Sequence, residues 1–162
     1  MQEALTSLEK QVWEKLQLVT DPEITSVSLI EMGMVEAVEI AESKVTVRMI
    51  PTYIGCPALN MMENDVVKSV SDIEGIDEVE VIFLKKPIWT SDRITAEGRE
   101  KLKEYGIAPP PLESKQEGVW EIECPYCNSP KTVMNNIFGP TACRSIFYCN
   151  SCKNPFEAIK PV

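Results

Sequence analysis

Four of the six cysteines are spaced for metal binding. Cys124-Pro125-Tyr126-Cys127 and Cys149-Asn150-Ser151-Cys152 are two CxxC pairs with 21 residues between them. A CxxC turn holds two thiolates on one side of a tight loop, at a separation suited to one tetrahedral ion, and two such turns close a four-sulfur shell. The interval is slightly longer than usual for the pattern, but the hairpin between the turns is free to vary in length. A closed shell keeps no open coordination position, so it predicts structure rather than catalysis. The expected ion is a single structural zinc, although rubredoxin-like iron fits the same ligands. The competing reading, disulfides or free thiols, is weighed by compartment. Residues Met1 to Leu5 show neither a basic n-region nor an apolar h-region, so a reducing cytoplasmic setting is expected and metal is preferred.

The other two cysteines have different settings. Cys143, in Thr141-Ala142-Cys143-Arg144, reads either as a small buried strand residue or as a thiol activated by Arg144. Cys56, in Pro51-Thr52-Tyr53-Ile54-Gly55-Cys56-Pro57, falls at or near the start of a helix whose first position suits Pro57. There it would face unpaired amides and the positive end of the helix dipole, a setting that suits an anionic sulfur. It reads as an inert packed cysteine or as a reactive thiol. One thiol does not hold a metal tightly, so further donors must come from nearby carboxylates, from a second copy in a homodimer, or from a client protein. Asp21 and Glu23, in Asp21-Pro22-Glu23, offer carboxylates, though a helix-ending turn with solvated charges is their more common use.

Composition removes other chemistries. Histidine is absent, which excludes His-based triads and His-ligated zinc hydrolase sites, and no other catalytic constellation is visible. A net charge of -9 argues against general nucleic-acid binding. The longest apolar run, Val81 to Leu84, is far short of the about 20 residues a spanning helix needs, so no membrane partner is expected. Charge is uneven: residues 1–111 hold 11 Lys/Arg and 20 Asp/Glu, whereas 112–162 hold 5 of each. That contrast, and the proline run Pro109-Pro110-Pro111 with a polar stretch after it, predicts a domain over 1–108, a linker over 109–118 and a ribbon over 119–162.

The elements that must position these residues follow from hydrophobic spacing. Leu5, Leu8, Val12, Leu16 and Val19 mark one face of a helix, with Thr6 and Glu9 as a capping box near its start. Val35 to Ile40 and Lys44 to Ile50 read as a hairpin. Leu59, Met62, Val66, Val70 and Ile73 mark a second helix, with Gly75 as a stop. Glu78 to Leu84 reads as a third strand whose apolar second half suggests burial on both faces. Thr95 to Tyr105 reads as a third helix, capped by Thr95 and ended by Gly106. Two antiparallel strands and a helical crossover to a third give an α+β fold: a two-layer α-β-β-α-β-α domain with a small mixed sheet, followed by a four-cysteine zinc ribbon too poor in apolar residues for a core of its own.

These pieces resemble a known family. Asp21-Pro22-Glu23, Glu31-Met32-Gly33-Met34-Val35, Thr52-x-x-x-Cys56-Pro57, Trp89-Thr90-x-Asp92-Arg93-Ile94-Thr95 and Tyr105-Gly106-Ile107 look like the iron–sulfur assembly domain family that includes SufT. Fusion of that domain to a CxxC…CxxC tail containing Thr141-Ala142-Cys143 is similar to the PaaD-like (PaaJ-like) accessory family of phenylacetyl-CoA 1,2-epoxidase systems. The resemblance covers nearly the whole chain. It implies a non-catalytic maturation role in phenylacetate catabolism, with iron or an iron–sulfur cluster passed to the reductase or oxygenase subunit. By position it maps the family's cysteine to Cys56, within the motif that begins at Thr52, and its acidic motif to Asp21 and Glu23. The family often carries Asp-Leu-Gly where this chain has Glu31-Met32-Gly33, so the longer acid departs from the pattern. The alternative is an interaction subunit that binds the oxygenase or reductase through the ribbon and the Trp89 region and handles no metal beyond structural zinc.

Overall fold

The computed structural model describes residues 2–111 and 121–160, with side chains from Ser7 onward. The polar part of the expected linker therefore lies outside the described residues. The chain divides into two compact units, Met1–Trp89 and Thr90–Val162.

In the first unit, helix α1 (Gln2–Gln17) precedes strands β1 (Val35–Ala41) and β2 (Lys44–Met49), helix α2 (Leu59–Ser71) and strand β3 (Glu78–Phe83). The sheet order is β1-β2-β3, with β1 antiparallel and β3 parallel to the central β2. The expected mixed sheet and helical crossover are present. Alternation puts Val45, Val47 and Met49 of β2 at 0% exposure. The two helices bury matching apolar faces, Val12 and Leu16 of α1 and Met62, Val66 and Val70 of α2. On the strands, Lys44 pairs with Glu78 and Glu80, and Arg48 with Glu39. These contacts are solvent-exposed, so each contributes little to stability.

Three expectations need correction. Helix α1 begins at Gln2, so Thr6 lies within it and not at its cap. The hairpin loop is shorter than read, because Ala41 pairs with Lys44 and Glu42 takes the turn at φ 56°. Strand β3 is only partly buried, since it lies at the edge of the sheet. Buried side chains also come from the stretch between α1 and the sheet and from the segment after β3. Ile24, Val27, Leu29, Met32 and Met34 fill the space after α1. Trp89 is 2% exposed, and its indole Nε1 donates to the Met32 carbonyl at 2.8 Å. Trp89 is therefore a core residue, and its neighbour Ile88 is the one left in solvent.

The second unit holds helix α3 (Ala96–Tyr105) and strands β4 (Ile107–Ala108), β5 (Thr132–Asn136), β6 (Arg144–Cys149) and β7 (Pro155–Ile159). Thr95 Oγ1 accepts from the Gly98 amide, and Gly106 ends the helix at φ 92°. The sheet order is β4-β7-β6-β5. Strand β4 follows α3 directly and pairs parallel with β7, so α3, grouped with the first domain by its sequence position, falls in this unit. Ala108, Ile122, Cys124, Phe147, Cys149, Phe156 and Ala158 form a small core of its own, with the Phe147 and Phe156 rings stacked at 5.8 Å. Sequence composition missed that core because two of its members are CxxC cysteines and one comes from β4.

Candidate metal centre

The two CxxC turns share one backbone design. The carbonyl of Cys124 accepts from the Asn128 amide at 2.9 Å, and that of Cys149 from the Lys153 amide at 3.0 Å. The amide of Cys124 donates to the Ser129 carbonyl and that of Cys149 to the Asn154 carbonyl, both at 3.0 Å. Asn128 and Lys153, the residues after each second cysteine, adopt φ 60° and 64°, the left-handed conformation in which the chain leaves each turn. Asparagine tolerates this conformation and so carries a local signal for the first turn; lysine at the second position gives none. The turns meet through the hydroxyls of Ser129 and Ser151, 2.6 Å apart.

This geometry brings the four sulfurs together. Cys124 Sγ lies 3.7 Å from Cys152 Sγ, and Cys127 Sγ lies 3.6 Å from Cys149 Sγ. All four sulfurs fall within 4.8 Å of one another. A disulfide needs about 2.05 Å, so these contacts are not disulfides. A tetrahedron with metal–sulfur bonds of about 2.3 Å has edges of about 3.8 Å, which these separations match. The donor set is thus a metal-binding cluster. Burial raises the Cys124 thiol to about 11. The Cys152 amide, donating to Cys149 Sγ at 3.5 Å, is the main cause that lowers Cys149 to about 6. One member of the cluster is thus already disposed to be a thiolate at neutral pH.

The other singled-out residues are not gathered in this way. Among the described residues, the four-cysteine cluster is the one group of three or more candidate metal donors. Cys56 is half-buried in the connection from β2 to α2. Its carbonyl accepts from the Leu59 amide, and it stands two residues ahead of the helix cap at Ala58. Asp21 is buried, and its Oδ1 accepts from the amides of Glu23 and Ile24 at 2.8 and 3.2 Å, closing the turn after α1. Glu23 is exposed. Glu31 Oε2 accepts from the Ser28 amide at 2.9 Å while Ser28 Oγ accepts from the Glu31 amide at 3.1 Å, a reciprocal cap within a buried turn. The Ser-x-x-Glu spacing carried that signal. Cys143 Sγ contacts Thr141 Oγ1 at 3.2 Å, and the same hydroxyl accepts from Arg144 Nε at 3.0 Å. Arg144 also pairs with Glu157.

Fold and cluster define a two-part protein, an α+β assembly-type domain with a four-cysteine ribbon. Residues 9–82 match the family described as iron-sulfur cluster assembly protein, and residues 108–160 match the PaaD zinc beta ribbon domain. Over 151 residues the chain is 34% identical to the "Putative 1,2-phenylacetyl-CoA epoxidase" subunit of Escherichia coli (strain K12), covering 93% of this chain and 91% of that one; the chain belongs to this PaaD-type family. The "Fe-S protein maturation auxiliary factor YitW" of Bacillus subtilis (strain 168) is 30% identical over 90 residues, covering 55% of this chain and 87% of the relative. A crystal structure of a domain of unknown function from Bacillus anthracis superposes with a TM-score of 0.56 at 26% identity, over 60% of this chain and 92% of that one.

Proposed function

We propose that this protein is an accessory factor for a phenylacetyl-CoA 1,2-epoxidase system and assists the delivery of iron or an iron–sulfur cluster to its reductase or oxygenase subunit. In this reading the ribbon cluster holds zinc and does structural work. Cys56 is the working thiol. Its setting carries the proposal: a half-buried sulfur outside the ribbon cluster, in the β2–α2 connection of a domain whose relatives are named maturation factors. Ligands sit at the C-terminal side of parallel strands by the general rule for such crossovers, and this connection leaves β2 at that end. Thr52 lies in the same loop. Asp21 has one oxygen engaged by backbone amides, so Cys56 and a donor from the client are the simpler ligand pair. Localisation in the reducing cytoplasm fits six cysteines that form no disulfide.

The test is reconstitution. Cys56→Ser is expected to keep fold and zinc content and to abolish client maturation, read as cluster or iron content of the reductase and oxygenase. Full maturation by the variant, together with a stable complex, would favour the alternative of a purely structural interaction subunit. Elemental analysis of anaerobically purified protein decides the ribbon metal; one iron with visible charge-transfer absorption would replace zinc.

A further inference from the structure

A cleft opens beside the Cys56 loop at the C-terminal ends of β2 and β3. It has a volume of about 220 Å³, and its walls include Thr52, Ile54, Leu84, Lys85, Ile88 and Trp89. Both strands run directly into it, β2 through Ile50 and Pro51 and β3 through Leu84. On its rim, Ile54 and Ile88 are 74% and 67% exposed, and Tyr53 is 54% exposed. Large apolar side chains held in solvent around a recess mark an interaction surface. The volume is below the range of about 300–1,000 Å³ typical of small-molecule sites, but suits one anchoring side chain.

Charge identifies the occupant. Residues 1–89 contain 16 Asp/Glu and 7 Lys/Arg. Of the seven, Lys44 and Arg48 are engaged with carboxylates of the sheet. Lys85 and Lys86 are adjacent, exposed and without an ion pair among the described residues, and Lys85 lines the cleft itself. An acidic domain thus offers two neighbouring cations at the rim of its apolar recess. Against the net negative charge of residues 1–89, this pair of cations at the recess favours an acidic partner.

The geometry points to a docking site for a client polypeptide segment that places an apolar side chain in the cleft and carboxylates against Lys85 and Lys86. Such docking would hold the client next to Cys56, so the inference rests on, and deepens, the accessory role proposed above. The probe is a fluorescent peptide with a Phe-Leu centre flanked by aspartates, with a lysine-flanked version as control, measured by anisotropy on the full metal-loaded chain. The aspartate peptide is expected to bind and the lysine peptide to bind far more weakly. Raising salt from about 50 to about 500 mM weakens the complex, because rim charges are screened at short Debye lengths. The Lys85→Glu, Lys86→Glu double variant loses affinity on the order of tenfold or more, and Ile88→Ser loses it without changing the salt dependence. All three residues are exposed, and circular dichroism with zinc content verifies that the variants fold. Absent binding of the aspartate peptide, equal binding of the two peptides, or an unchanged affinity in the double variant overturns the site. Maturation assays keep the two ideas apart. A defective double variant beside a fully active Cys56→Ser retains docking and removes delivery through Cys56; the reverse pattern removes docking alone.

Discussion

Cys56 and the ribbon cysteines carry the same functional group and differ in their company. The ribbon sulfurs are gathered by two matched CxxC turns, whereas Cys56 stands in the β2–α2 connection, two residues ahead of the helix cap at Ala58, and has no partner sulfur within a cluster. That difference was legible in spacing alone, because CxxC pairs report their own geometry. The buried acid at Glu31 was less so. The family comparison framed it as a departure in a motif, while the structure gives it a plain local task with Ser28. Glu31→Ala would leave the Ser28 amide buried without that acceptor. The expected cost is about 1–3 kcal/mol, the range for stranding a buried polar group. Urea unfolding followed by Trp fluorescence measures it, and an unchanged midpoint would show that the reciprocal cap is dispensable.

At the scale of elements, the long periodic segments were readable and the short dependent ones were not. Helix α2 and strand β2 advertise themselves because each buries a single face against one layer. Strand β4 has two residues, Ile107 and Ala108, and exists only because β7 lies beside it in space. No local pattern encodes such a pairing. Burial of β3 was overestimated for the same reason, since an apolar run does not reveal whether its strand is central or at an edge. Gly139 shows another nonlocal constraint. A Cβ placed there would sit 2.7 Å from the Arg144 carbonyl oxygen, and the Gly139 amide donates to that same oxygen at 2.9 Å. Backbone cannot yield as a flexible side chain does, so Gly139→Ala should force the β5–β6 connection away from β6. A destabilisation of about 1–3 kcal/mol is expected from overpacking. Hydrogen exchange on the amides of β6 reports it, and wild-type protection in the variant would count against so tight an approach.

For the molecule as a whole, the two units depend on different sources of stability. The first has a continuous apolar core between two helices and a sheet. In the second, the ribbon is built on one small cluster of seven buried residues, of which Cys124 and Cys149 are metal donors. A structural zinc site contributes about 10–16 kcal/mol of apparent binding free energy at neutral pH, far more than so small a core supplies. Chelation should therefore remove protection from β5, β6 and β7 while β1, β2 and α2 stay protected in hydrogen exchange. Uniform loss across both units would contradict that independence.

Acidification should act through the same ions, and the sign follows from the thiols. A metal binds thiolates, so each thiol still protonated in the metal-free cluster must give up its proton on binding. Cys124, held near 11 by burial, is protonated throughout the working range and makes affinity rise with pH. Cys149, lowered to about 6 chiefly by the Cys152 amide, has already lost its proton at neutral pH and adds a second dependence only below that value. Affinity measured by chelator competition should thus fall as pH drops from about 8, by roughly tenfold per pH unit for each proton taken up, and fall more steeply below about 6. Competition curves with one slope across that point would mean that Cys149 is not lowered relative to Cys124, and a pH-independent affinity would remove the thiols from the metal site altogether.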